Sequence, residues 1–304
     1  MKKVNRLSSF ILKVIAMVTM TFDHIGVVFA SFWGVGTNYA FYEACRYIGR
    51  IALPLYCFLL VESVIHTTHY KKYNIKLGIM AIIISAGLAV CQYVPSLGLG
   101  SVKDAGNIFL DLLLGSVMIY CLNHEKKWVK PLALLPIAVA ILSFVAKAVE
   151  TSGSCQQGCA YHLEVYWYPA FLRLQYDWLS LGLMLGYFAS YLIAKVIYKM
   201  REESTGVSAD AMVGTNEWRI MVNLIAVFFT IFVSVMYYLV DYINHDIVFW
   251  VPKIQLFAIV ASLFIAFYSG SRGYNAKWFN NFAYLYYLVH IGVIFGVCYL
   301  IYIL

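Results

Sequence analysis

Asp23 and His24 stand together in Thr21-Phe22-Asp23-His24-Ile25-Gly26, in the middle of the first long apolar stretch of the chain. Lipid solvates an acid or an imidazole poorly. Such a side chain costs about 3 kcal/mol at the centre of a span, so it faces protein or a watery cavity and marks a site. Both groups exchange protons, and that is the chemistry the pair offers. Successive helical residues point about 100° apart, so Asp23 faces another helix and does not orient the adjacent His24 ring. Thr21, three residues before His24, shares its face.

Other polar residues recur at helical spacing. Arg46 and Arg50 are four apart, on one face, with Glu43 three before Arg46. They read either as an interfacial ion pair with snorkelling arginines or as a positive wall that binds an anion or stabilises developing negative charge. Asn107 and Asp111 share a face, and Asp177 opens a later stretch at the same expected level. A ring of these groups around His24 would form an outward-facing polar chamber. Glu62, His66 and His69 precede Lys71 and Lys72; they read as a solvated helix end or as the mouth of an anionic-cofactor site. Ser269-Gly270-Ser271-Arg272-Gly273 offers glycine backbone and Arg272 as a cradle for phosphate. Near the C-terminus His290 follows Tyr286-Tyr287-Leu288-Val289.

The elements that must hold these residues are membrane helices. Of 304 residues, 62% are hydrophobic and 12% charged, against about a quarter charged in an ordinary soluble domain. Runs of about 20 apolar residues, each long enough to cross about 30 Å of hydrocarbon as a helix, recur from Phe10 onward. Aromatics at 17%, with 25 Tyr, suit interfacial belts. The hydropathy pattern predicts an all-α polytopic membrane protein, a single domain over 1–304 with about nine transmembrane helices. Their expected limits are Phe10 to Trp33, Tyr47 to His66, Ile75 to Val94, Ile108 to Leu122, Leu132 to Val149, Leu174 to Tyr198, Arg219 to Val240, Ile247 to Tyr268 and Phe279 to Ile303. The segment from Arg201 to Glu217 reads as a mobile inner linker without chemistry.

Basic residues set the expected orientation, because Lys and Arg in short loops favour the cytoplasmic side. Alternating the nine spans places 16 of the 22 Lys and Arg on the side of the N-terminus and 6 on the other. The N-terminus is therefore expected in the cytoplasm and the C-terminus outside, in a multi-pass protein of the cell's inner (cytoplasmic) membrane. An even number of spans would scramble the pattern. The net charge of +7 is then mostly topology and calls for a lipid bilayer, with no nucleic-acid partner. The first span is too long and too polar at its centre for a cleaved signal peptide. At about 1.5 Å per residue, His24 lies about 14 Å below the outer end of its span and His290 about 17 Å from the inner end of the last, one mid-membrane layer.

Cys45, Cys57, Cys91, Cys121 and Cys298 lie in or beside apolar stretches, where cysteine serves as a small hydrophobe. Cys155 and Cys159 fall in an expected outer loop where disulfides persist, and a local bridge there depends on loop geometry. His162 beside them is too little for a metal site, and no metal is expected.

Taken together these motifs resemble the TraX family of integral membrane proteins, typified by conjugation proteins that acetylate the N-terminus of pilin. The resemblance rests on Phe22-Asp23-His24-Ile25-Gly26, on the run from Arg46 through Gly49-Arg50 to Pro54-Leu55-Tyr56, and on Leu59-Leu60-Val61-Glu62 with His66-Thr67. It continues in Asn107-Ile108-Phe109, Leu114-Gly115, Ser269 to Gly273, and the terminal run ending at His290. The chain departs from the family pattern at Leu288, where proline is usual, at Ser269-Gly270 in place of Asn-Gly, and at Asp111, often threonine. Residues 126–213 match weakly apart from Asp177, so the acceptor need not be pilin. The family is also similar to the wider transmembrane acyltransferases, which pair a first-span histidine with arginines in an early helix.

The resemblance implies acetyl transfer from cytoplasmic acetyl-CoA to an acceptor outside, a peptide N-terminus such as pilin's or a glycan. It implies that His24 acts as general base or carries the acetyl group transiently, with Asp23, Arg46, Arg50 and His290 completing the catalytic set. Glu62, His66, Arg272 and Gly273 would receive the acetyl-CoA, and Asn107, Asp111 and Asp177 the acceptor. Two other classes fit the same buried groups: a proton-coupled transporter or exporter, in which they form a relay, and an inactive membrane scaffold. Transport folds are built on inverted repeats, and none is visible in the sequence.

Overall fold

Helix is the structure that satisfies every backbone group inside its own segment, as hydrocarbon demands, and the apolar runs fold accordingly. The computed structural model describes residues 7–93, 106–152, 167–206, 208–243, 255–274 and 277–303. Its helices are α1 (Ser9–Trp33), α2 (Tyr39–Gly49), α3 (Ala52–His66), α4 (Tyr70–Tyr93), α5 (Ile108–Asn123), α6 (Leu134–Ser152), α7 (Asp177–Thr205), α8 (Ala209–Met212), α9 (Asn216–Ile243), α10 (Ala261–Ala266) and α11 (Lys277–Ile303). Seven helices among the described residues are long and apolar enough to cross a membrane. The protein is an all-α, multi-pass membrane protein. The fourth and eighth expected spans are the shorter apolar helices Ile108–Asn123 and Phe257–Ala266. Residues 244–254 of the eighth, and the loop with Cys155, Cys159 and His162, lie outside the described residues.

Local chemistry sets the helix ends. Ser8 caps α1 by accepting from the Ile11 N–H at 3.4 Å. Gly34, at φ 79°, closes the other end by donating to the Ala30 carbonyl. The stretch expected to run unbroken from Tyr47 to His66 is divided at Arg50-Ile51 into α2 and α3. Pro54 accounts for the break: it has no N–H to offer the Arg50 carbonyl one turn back, and its ring crowds that oxygen. As the third residue of α3, Pro54 is tolerated there because first-turn N–H groups have no helical partner.

The chain divides into two compact units, and the division passes within α3, α7 and α9. One comprises Met1–Leu59, Gly186–Met236 and Lys253–Leu304; the other comprises Leu60–Leu185 and Tyr237–Pro252. In the first unit α1 packs on α2 and α11. The α1–α2 approach depends on glycine: a Cβ at Gly49 would stand 2.2 Å from Cβ of Asp23, and one at Gly26 2.7 Å from Cβ of Cys45. Ring contacts pair Phe10 with Phe279 at one end of α1 and Trp33 with Tyr302 at the other, so α1 and α11 run parallel.

The segment expected to be a mobile linker is instead built in. Helix α7 continues to Thr205, Glu202 accepts from the Ala209 N–H at 3.1 Å, and Ala209 packs with Tyr198, Trp218 and Val222. The apolar residues that this packing buries outweigh the polar composition that suggested a linker. In the second unit α5 packs on α4 and α6, with the Tyr70 and Tyr120 rings stacked at 3.9 Å. Ile75, Ile79 and Ile82 of α4 and Val293, Val297 and Leu300 of α11 remain exposed, as surfaces that meet lipid do.

Candidate active site

His24 turns toward α11. Its Nδ1 lies 2.7 Å from Nε2 of His290, which is buried, and Nδ1 of His290 donates to the Tyr286 carbonyl at 2.6 Å. The Tyr286 ring stacks on the His290 ring at 4.8 Å and 7°, and its hydroxyl is hydrogen-bonded to Thr21. Thr21 is the residue that shares the His24 face. The two imidazoles thus occupy one layer, as their depths suggested.

Asp23 turns to the other side, toward α2. Arg46 donates from Nη1 to its Oδ2 at 2.8 Å. Glu43, the nearby acid in sequence, takes the Tyr47 hydroxyl at 3.0 Å instead. Arg50, one turn beyond Arg46, is buried at the end of α2. Oδ1 of Asp23 and Nε of Arg46 are buried without a hydrogen-bond partner among the described residues, the sort of incomplete satisfaction that accompanies functional sites. Asp23, Arg46, Arg50 and His290 all lie within electrostatic reach of the His24 ring. The five residues expected to carry the chemistry are therefore gathered in one unit.

Arg272 and Gly273 belong to the same unit, in the loop that receives the start of α1. The Arg272 carbonyl accepts from the Phe10 N–H at 3.2 Å and from the Ser9 hydroxyl at 3.0 Å, while its side chain is exposed. Gly273, at φ 68°, leaves no room for a side chain against Ser8. Arg219, absent from the sequence reading of the site, braces this loop. Its guanidinium lies against Gly270, over the Tyr268 ring at 5.2 Å, and donates to the Tyr191 hydroxyl at 2.9 Å.

Asn107, Asp111 and Asp177 lie in the second unit, where their hydrogen bonds secure the fold. Asn107 caps α5 through Oδ1 and donates to the Ala81 carbonyl and Ser85 hydroxyl at 2.7 and 2.8 Å. Asp111 is fully buried and accepts from the N–H groups of Gln175 and Tyr176 and from the Ser180 hydroxyl at 2.7, 3.2 and 2.6 Å. Asp177 pairs with Lys147 at 2.8 Å, and Lys147 also donates to the carbonyls of Leu174 and Gln175. Lys147, the cation of a mostly apolar helix, is a signal for this site that its use in topology alone left unread. Glu62, buried, and His66, exposed, face each other at 3.8 Å in this unit as well; His69 is exposed.

A helical membrane protein with paired imidazoles on its first and last helices, beside a carboxylate–guanidinium pair, belongs to the polytopic proteins with a buried polar centre. The family model described as TraX protein matches residues 8–221. The chain belongs to the TraX family. Among curated proteins it is similar to the probable fimbrial assembly protein FimC, serogroup H1, of Dichelobacter nodosus: 34% identical over 112 residues, 35% of this chain and 43% of that protein. The match thus takes in less than half of the relative's length. No solved structure matches. The family match ends before Arg272 and His290; the His24–His290 contact is one of several that tie the C-terminal helix to the matched region, with Thr21–Tyr286 and the Phe10–Phe279 and Trp33–Tyr302 ring pairs.

Proposed function

We propose that the protein is a membrane-embedded acetyltransferase of the inner membrane that moves an acetyl group from cytoplasmic acetyl-CoA to an extracytoplasmic amine or hydroxyl, on a pilin-like peptide N-terminus or a glycan. The observation that carries this reading is the pair of half-buried His24 and buried His290 within electrostatic reach of two guanidiniums, Arg46 and Arg50. Acyl transfer needs a base for the attacking group and positive charge for the oxyanion that develops on the thioester carbonyl. His24 supplies the first and the arginines the second. His24 accepts the proton of the acceptor as its nitrogen or oxygen bonds to the acetyl carbon; the carbon–sulfur bond breaks, and the imidazolium returns the proton to the departing thiolate. Asp23 holds Arg46 in place.

Acetyl-CoA supplies an activated carbonyl with a thiolate leaving group. Its phosphates suit the Ser269–Gly273 loop, where the exposed Arg272 side chain and Lys13 lie within electrostatic reach of each other and an anion would relieve the like charges. Membership of the TraX family and the relative named for fimbrial assembly favour a surface-appendage protein as acceptor. A proton-coupled transporter would need the imidazole pair to pass protons onward. Its hydrogen-bond chain ends on the Tyr286 carbonyl, which accepts a proton bond and cannot relay it.

The test is mass spectrometry of exported peptides and glycans from cells with and without the protein. An acetyl group present only when the protein is expressed, and lost with His24→Ala, supports the reading; identical acetylation in all three overturns it.

A further inference from the structure

We infer that His290 is a positioning residue that holds His24 as its Nδ1–H tautomer, so that His24 presents an unprotonated Nε2 to the reacting groups. The consequence for catalysis rests on the acetyltransferase reading; the tautomer itself rests on hydrogen-bond geometry.

A carbonyl oxygen only accepts. His290 Nδ1, 2.6 Å from the Tyr286 carbonyl, therefore carries a proton. A neutral imidazole has one N–H, which leaves Nε2 of His290 with a lone pair. That lone pair meets Nδ1 of His24 at 2.7 Å, so the His24 nitrogen is the donor. The second nitrogen of His24 is then bare. Each assignment forces the next, and the chain starts from the one group whose role admits no choice.

The surroundings fix the ring that does the fixing. The Tyr286 ring lies parallel to the His290 ring, and the Tyr286 hydroxyl is tied to Thr21 on α1. The Tyr287 ring makes T-shaped contacts with both imidazoles, at 5.8 and 5.7 Å between ring centres. Two hydrogen bonds between parallel helices, Thr21 with Tyr286 and His24 with His290, thus define the plane of each imidazole. When His24 takes a proton at Nε2, its Nδ1–H strengthens as a donor to the His290 lone pair, and the positive charge is eased without a second proton transfer. Asp23, the adjacent acid, is committed to Arg46 and leaves this role to His290.

The test uses the full chain in lipid nanodiscs with ring-15N histidine. Of the seven histidines, those at 24 and 290 are assigned from the spectra of the His24→Ala and His290→Ala variants. In the unsubstituted protein His24 should show a protonated Nδ1 and a bare Nε2, and His290→Ala should move His24 toward the Nε2–H form. With labelled acetyl-CoA and a synthetic peptide with a free N-terminus as probes, His290→Ala should lower kcat about 100-fold or more with KM little changed, as loss of a tautomer-fixing partner does. His290→Gln, whose amide oxygen accepts from Nδ1–H, should recover part of the rate and of the tautomer. A proton on Nε2 of His24 in the unsubstituted protein, or a His290→Ala variant with unaltered tautomer, overturns the inference and leaves the acetyltransferase reading standing. An absence of acetyl transfer with the expected tautomer intact overturns that reading instead.

Discussion

Arg46 donates to Asp23 at 2.8 Å between α2 and α1, while His24, the next residue, meets His290 on α11 at 2.7 Å. Adjacent residues of one helix thereby join two others. The Asp23–Arg46 pair is largely withdrawn from solvent, so removing either partner leaves a charge buried without its counter-ion, at a cost of about 3–5 kcal/mol. Asp23→Ala and Arg46→Ala should each lower the thermal midpoint of the purified protein, and the double variant should lose less than the two combined, with a coupling of at least about 1 kcal/mol. Additive losses would show that the pair does not act as a unit.

Gly49 is where the Asp23 carboxylate meets the backbone of α2, and an added Cβ would approach Cβ of Asp23 to 2.2 Å. Gly49→Ala is expected to destabilise by about 1–3 kcal/mol through overpacking and to displace the Asp23–Arg46 pair. Gly78→Ala is the control, since a Cβ there meets nothing within 4 Å. Thermal unfolding of both variants decides the matter; equal tolerance would contradict the close α1–α2 approach.

Pro54 sets the break that ends α2 at Gly49 and starts α3 at Ala52. Pro54→Ala restores an N–H able to bond the Arg50 carbonyl, which favours a continuous helix and turns Arg50 away from its present direction. Acetyl transfer should fall about tenfold or more, because small misplacements of an active-site group carry rate penalties of that order, while the amount of folded protein stays the same. Unchanged kcat in Pro54→Ala would remove Arg50 from the catalytic set.

Asp111 accepts from two backbone N–H groups and one hydroxyl. Asp111→Ala leaves these donors buried and unsatisfied, at about 1–3 kcal/mol each. Faster proteolysis around Gln175 and a lowered thermal midpoint should follow, with kcat and KM per folded molecule unaltered. A stable variant with a raised KM for the acceptor would instead place Asp111 in the acceptor site.

The helices and the polar centre were legible for the same reason: in lipid a polar residue is costly, so its presence at a given depth carries information. That reasoning found His24 and His290 on helices at opposite ends of the chain, and the 100° step between neighbours sent Asp23 to a different helix from His24. Spacing within a helix offers Glu43 as a neighbour of Arg46 but does not reveal Asp23, which sits on another helix and takes the guanidinium. Asn107, Asp111 and Asp177 share an expected depth with site residues, but their partners come from segments distant in sequence: Ala81 and Ser85 for Asn107, the backbone of Gln175 and Tyr176 for Asp111, and Lys147 for Asp177, pairings that spacing within one helix does not encode. Hydropathy also missed the division of the second expected span, although Pro54 was there to mark it. Residues 201–217 read as a linker because their fold depends on a few apolar contacts, Trp218 and Tyr198 foremost, set among charges.

His24 is proposed as the base for acetyl transfer across the membrane. The proposal is tested with the purified protein in liposomes, labelled acetyl-CoA on the face where the N-terminus lies and a free-amine peptide on the other, by following label on the peptide. The unsubstituted protein should transfer label, and His24→Ala should lower the rate about 10²-fold or more, the contribution of a positioned base. Transfer at the same rate without the imidazole would contradict the proposal.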